Sequence, residues 1–201
     1  MNETLLDDRH VWLRITKPHY AAPLDPRHAQ QHGGRWNKPG SWPTLYLNHD
    51  LRTVHAQVRH LFVDRGVDVD DLNDDAPILL VAATLPARQR VADLTSDKAL
   101  ADAGLPTSYP IPIDANPIDA KDAKDAKGRT VSHDATREVG ERVHVAGLRG
   151  VFCRSAAIAD GTGRELAWFP SARGRARPVW RHPFGFGQWH RARTVADIPA
   201  T

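Results

Sequence analysis

Apolar and polar positions alternate through Val11-Trp12-Leu13-Arg14-Ile15, the period of a strand in which Arg14 points opposite to its neighbours; Pro18 ends it. From Tyr20 to Pro43 no apolar period survives. Pro, Gly, His and Gln dominate there, which predicts a long loop carrying the pair Gly33-Gly34. Leu45-Tyr46-Leu47 predicts a short strand. Asp50 then starts a helix whose apolar positions Leu51, Val54, Val58, Leu61 and Phe62 keep the three-or-four spacing of an amphipathic face, until Gly66 stops it. Pro77 to Leu85 is a continuous apolar run, short and partly β-branched, and predicts a buried strand, with a second strand around Val91.

Between Ile118 and Gly128 the chain runs through three consecutive Asp-Ala-Lys units. Alternating charge with only alanine between cannot bury apolar area, so residues 118–128 are expected to form an insert without core contacts. Asp134 is placed to cap a helix through Val139, Val143 and Ala146, closed by Gly147 and Gly150. Two further strands follow, Val151 to Ser155 and Glu165 to Phe169, with Gly161-Thr162-Gly163 as a tight turn between them. That triplet lacks the third glycine and the following helix of a dinucleotide fingerprint. Strands outnumber helices and long loops separate them, which predicts an α+β fold rather than a doubly wound sheet.

Composition narrows this further. At 201 residues the chain suits one domain, and 41% hydrophobic residues with six Trp can build a core without metal or disulfide support. Cys153 is the single cysteine, lies in an apolar run and is expected to pack as a small hydrophobe in a reducing cytoplasm. The first residues carry acids rather than the basic, then apolar, pattern of a secretion signal, and no run approaches the length of a membrane span. Net charge is +3 but uneven: Arg173, Arg175, Arg177, Arg181, Arg191 and Arg193 share a stretch without Asp or Glu. Trp180, Phe184, Phe186 and Trp189 interleave with them in this basic aromatic tail, residues 171–201. The preferred reading is a solvated C-terminal hairpin whose aromatics cover the core edge, so nucleic acid is not an expected partner. Eleven histidines include the near pairs His28 with His32 and His55 with His60, but no His-Glu-x-x-His or paired-cysteine spacing, so no metal is expected. Neither a Gly-x-Ser-x-Gly elbow nor a phosphate loop ending in Gly-Lys-Ser or Gly-Lys-Thr occurs.

The candidate chemistry centres on Gly33-Gly34-Arg35-Trp36-Asn37. Two residues permitting close backbone approach precede a guanidinium, a pattern suited to gripping a diphosphate, and Tyr46 on the next strand offers an aromatic face. The same residues read equally as a turn, a surface ion pair and a core tyrosine.

This segment, followed by Pro39-Gly40, Tyr46-Leu47 and a helix entered after Asp50, resembles the RES-domain pattern. Similarity continues through Val139-Gly140, Leu148-Arg149-Gly150-Val151, Arg154-Ser155-Ala156 and Arg164-Glu165-Leu166-Ala167-Trp168-Phe169-Pro170, so the resemblance spans about residues 10–195 apart from the insert. It implies a single domain akin to ADP-ribosyltransferases, with a split β-sheet core and flanking helices, and NAD as substrate or ligand. It also implies the toxin of a toxin–antitoxin pair, neutralised by an antitoxin protein, acting as an NAD phosphorylase, glycohydrolase or ADP-ribosyltransferase. Carried over by motif, Arg35 binds NAD phosphate or ribose, Tyr46 flanks the nicotinamide and Arg14 is a second anion contact. The family's glutamate falls on Gln57, which brings no charge, so either another carboxylate (Glu165, Glu138 or Asp64) takes its place or the pocket binds without turnover. The family's serine is Ser132 or Ser155, with His133 beside the first as a further pocket residue.

Overall fold

The computed structural model describes residues 1–63, 66–109, 133–158, 160–172, 174–180 and 182–199. The Asp-Ala-Lys insert, Ser132 and Asp64 lie outside them. Eight strands form one mixed sheet in the order β1-β5-β6-β7-β3-β2-β4-β8. They are β1 (Glu3–Leu5), β2 (Trp12–Thr16), β3 (Leu45–Asn48), β4 (Leu79–Thr84), β5 (Arg90–Leu94), β6 (Gly150–Arg154), β7 (Arg164–Trp168) and β8 (Arg177–Pro178). The helices are α1 (Arg27–His32), α2 (Leu51–Val63), α3 (Asp97–Ala103), α4 (Asp134–Val145) and α5 (Phe186–Trp189). Neighbouring strands run antiparallel except β5 and β6, which are parallel, with α3 and α4 on the chain between them. The α+β class follows.

One junction in this sheet is barely made. Strands β2 and β3 share a single register pair among the described residues, Leu13 opposite Asn48. Each is tied far more fully on its other side, β2 to β4 through five pairs and β3 to β7 through four. Beyond Leu13 the two strands part, so the sheet is split in its middle although its hydrogen-bonded order is continuous.

Three apolar clusters hold the halves. The α2 face of Leu51, Val54 and Val58 packs with Leu13, Leu80, Phe184, Phe186 and Trp189. Val139 and Val143 of α4 and Leu100 of α3 pack on Val151, Cys153, Ala167 and Phe169. Trp12, Leu45, Leu47, Val91, Leu166 and Trp168 form the third. Burial at the α2 positions follows the sequence period as far as Val58, but Leu61 faces solvent. Asp50 accepts the backbone N–H of Thr53 at 2.7 Å and its hydroxyl at 2.8 Å, a bond that satisfies one orphan donor at the start of α2.

Other local expectations change. Residues 27–32 are helical, not loop, and Gly33 ends that helix at φ 74, a conformation that favours glycine. Asp134 sits in the first turn of α4 rather than capping it, where its charge favours the helix N-terminus. Among its described residues the C-terminal segment forms no hairpin: β8 pairs with β4, Phe184 bridges to Leu80, and α5 follows. Phe184, Phe186 and Trp189 are buried in the α2 cluster, so their rings are not open for stacking on a base. Arg191 is paired with Asp74. None of the described helices is long and apolar enough to cross a membrane.

Candidate functional site

The cleft opens where β2 and β3 part. Its 360 Å³ are lined by Arg14 and Ile15 from one lip, Tyr46, Leu47 and Asn48 from the other, with His28, Gly34, Arg35, Gln57, His133 and Glu165 closing it. Six residues singled out from the sequence therefore meet: Arg14, Arg35, Tyr46, Gln57, His133 and Glu165. Ser155 does not line this space. Its side chain is buried and its hydroxyl accepts the N–H of Ala157 at 3.2 Å, a local turn contact. Ser132 lies outside the described residues.

The loop bearing Arg35 is held from three sides. Asn37 donates to the carbonyl of Ala29 at 2.7 Å, tying the loop to α1. The Tyr46 hydroxyl donates to Asn37 Oδ1 at 2.8 Å and accepts the Trp36 N–H at 2.9 Å. Its oxygen is thus spent on the loop, while its ring lines the cleft; burial raises its pKa. From the third side α4 presses in: Thr136 Oγ1 donates to the Arg35 carbonyl at 2.6 Å and Arg137 Nε to that of Gly34 at 3.0 Å. Two glycines permit these approaches. A Cβ on Gly140 would stand 1.9 Å from the Trp36 oxygen, and one on Gly34 2.3 Å from the Tyr46 hydroxyl.

The two cleft arginines differ in charge balance. Arg35 pairs with Glu165 through Nη1 and Oε1 and donates to the Tyr109 hydroxyl at 3.3 Å. The pair is largely withdrawn from water, with side-chain exposures of 23% and 15%. Burial is the largest influence and opposes the Arg35 charge, but Glu165, Tyr109 and Cys153 together outweigh it and raise the pKa, so the guanidinium stays protonated. Arg14 forms no ion pair among the described residues. Nη1 reaches the Tyr46 carbonyl at 3.4 Å, across the split, and Nε is buried without a hydrogen-bond partner among the described residues. Burial lowers its pKa, the mark of a cation held without a counter-charge.

Gln57 projects from α2 into the same space, where its Oε1 accepts from Asn48 Nδ2 at 2.9 Å. The bond fixes its carbonyl oxygen towards β3. The His133 ring is drawn down to a pKa of about 4 by burial, then by Arg35 and Arg137, so it is neutral at neutral pH. Beneath the cleft, Cys153 Sγ lies 3.8 Å from Glu165 Oε1, and burial followed by that carboxylate raises its thiol pKa well above the ordinary value.

Asn48 and Tyr109 belong to the site but were not anticipated. Asn48 carries a readable signal, a polar residue ending the apolar Leu45-Tyr46-Leu47 strand. Tyr109 carries none, because its contact with Arg35 spans 74 positions.

Comparison with known proteins bears on the fold and the family. A search of the curated proteins gave no match. The chain is similar in structure to a chain of the M. tuberculosis MbcT–MbcA toxin–antitoxin complex, with a TM-score of 0.59 at 20% identity, covering 88% of this chain and 83% of that one. At that identity the likeness establishes the fold. Residues 11–185 match the RES domain, a span that holds both lips of the cleft and every residue lining it. On that match, extending over most of its length, the chain belongs to the RES domain family.

Proposed function

We propose that the cleft binds NAD and cleaves its nicotinamide–ribose bond, and that the protein acts as the toxin of a toxin–antitoxin pair. The observation that carries this reading is the meeting of a half-buried Arg14, which forms no ion pair among the described residues and whose Nε is buried without a hydrogen-bond partner there, with the Arg35–Glu165 pair across the split sheet. A half-buried guanidinium without a carboxylate fits the diphosphate of a dinucleotide, which supplies the missing counter-charge. Tyr46 offers its ring to the nicotinamide side, and Asn48, Gln57 and His133 supply neutral donors and acceptors for ribose hydroxyls.

Cleavage transfers the bonding electron pair to the nicotinamide nitrogen, which leaves neutral, while positive charge develops on the ribose. A carboxylate near that sugar lowers the barrier. Gln57 brings none, and Glu165 is the carboxylate lining the cleft. The nucleophile is water, phosphate or a macromolecular group. It gives its oxygen or other attacking atom to the ribose and loses its proton to solvent. The antitoxin part of the proposal rests on the family and on the toxin–antitoxin complex to which the fold is similar.

The test is nicotinamide release from NAD by the purified chain, with and without phosphate. Glu165→Gln should cut the rate on the order of a hundredfold, as removal of one electrostatic partner does. Gln57→Glu should raise it, since a glutamate oxygen can keep the bond from Asn48 and adds charge. A second reading, binding without turnover, is favoured by Gln57 itself. It prevails if no nicotinamide appears while calorimetry shows NAD binding that is lost in Arg14→Met. If the folded protein does not bind NAD, both readings fail. Expression in a bacterial host should lower cellular NAD if the first holds.

A further inference from the structure

A second chamber of 340 Å³ adjoins the cleft and shares Arg14 and His28 with it. Its walls come from the segment joining β2 to α1, chiefly Thr16, His19, Tyr20 and Arg27. Planar rings crowd one side. His19 and Tyr20 have centroids 4.6 Å apart and Tyr20 and His28 5.6 Å, while His32, which does not line the chamber, packs on His28 at 4.6 Å. Tyr20 is 39% exposed, a large ring left partly open at the rim. Polar atoms there lack partners among the described residues: Arg14 Nε and Thr16 Oγ1 are both buried and unsatisfied. The other cation of the wall, Arg27, is neutralised by Asp25 through Nε and Nη2. Charge demand in this chamber thus falls on Arg14 alone, at the wall it shares with the inner cleft.

Rings that can stack on a base, next to a cation awaiting an anion, make a nucleotide site. We propose that the outer chamber is the adenosine half-site: the adenine stacks on Tyr20 beside His28, and the diphosphate lies over Arg14 at the shared wall, leaving the inner cleft to the nicotinamide ribose. This rests on the reading of the inner cleft as an NAD site. It assigns a role to a segment that carries no catalytic residue, and it makes the chain a reader of the whole dinucleotide rather than of its nicotinamide half. His28 suits the shared wall. Burial, then His32 and Arg14, lower its pKa, so it presents a neutral imidazole face there.

The test compares NAD, AMP and nicotinamide mononucleotide on the full chain by calorimetry. The wild type should bind NAD more tightly than the mononucleotide. Tyr20→Ala should weaken NAD and AMP about tenfold, the loss of one stacking partner. Tyr20→Phe, which keeps the ring, should restore both, and the mononucleotide should change far less in either variant. The half-site is overturned, with the NAD reading intact, if NAD binds no more tightly than the mononucleotide to the wild type. It is also overturned if Tyr20→Ala weakens the two ligands equally or leaves NAD unchanged. A wild type that binds the mononucleotide but not AMP or NAD likewise removes the half-site alone. Failure to bind any of the three removes the NAD reading and the half-site with it. The comparison of ligands on the wild type stands even if the alanine variant does not fold.

Discussion

Arg35 and Arg14 reach the cleft in opposite electrostatic states, and substitutions should separate them. Arg35→Ala leaves Glu165 largely withdrawn from water beside Tyr109 and Cys153 with no cation, and should cost about 3 kcal/mol of folding stability. Removing Glu165 as well should return part of that loss, a coupling measurable by urea unfolding of the single and double variants. Arg14→Met, by contrast, removes a charge that has no carboxylate to orphan. It should leave stability equal or higher while abolishing ligand binding. His133 adds a pH dependence of known sign. Its pKa in the folded protein is about 4, against an ordinary 6.5 when unfolded. Between those values the unfolded chain binds a proton that the folded chain does not, so stability falls as pH falls through that window. His133→Gln should flatten part of that fall, read as the difference between urea midpoints at about pH 7 and pH 5. At this scale the sequence pattern identified the loop motif and the position of Gln57 on α2, because both are local in the chain. The pairing of Arg35 with Glu165 joins residues 130 positions apart, and no period or spacing encodes such a meeting.

Helix α4 serves the site by proximity rather than by chemistry. Its Gly140 touches the carbonyl of Trp36, and Thr136 and Arg137 bond the loop on either side of Arg35. Gly140→Ala has no room for its methyl group against backbone. It should cost about 2 kcal/mol by overpacking and should weaken ligand binding through displacement of the loop, even though residue 140 does not line the cleft. An unfolding midpoint and a binding constant, measured on the same variant, check both parts. Elements with a sustained apolar period, such as α2, α4 and β7, are readable because burial imposes that period. The short helices α1 and α3 are not. Two turns or fewer give too few apolar positions to establish a period, and three of the seven α3 residues between its Ser96 cap and Gly104 are alanine.

For the molecule as a whole, the C-terminal segment behaves as part of the core. Phe184, Phe186 and Trp189 sit with Leu13, Leu80 and the apolar face of α2. Deleting residues 184–201 removes three large buried side chains, each of which is typically worth about 3 to 5 kcal/mol, against a total stability of about 5 to 15 kcal/mol for a domain. The truncated chain should show no cooperative thermal transition by circular dichroism. From the sequence, the arginines obscured this role, since charge density suggests a solvated surface while alternate aromatic positions turn inward.

The single rung between β2 and β3 has a mechanical meaning. Arg14 belongs to a β2-β4-β8 unit, whereas Tyr46, Asn48 and Glu165 belong to the other five strands. Little backbone pairing resists movement of one unit past the other at this seam. A ligand clasped by Arg14 on one bank and by Arg35 on the other acts as a supplied crosspiece. At a hundredfold excess over its dissociation constant it adds about 2.7 kcal/mol to stability. Amide exchange should then slow on both banks together, in β2 as well as β3; slowing confined to one bank would mean that the ligand sits beside the seam without spanning it.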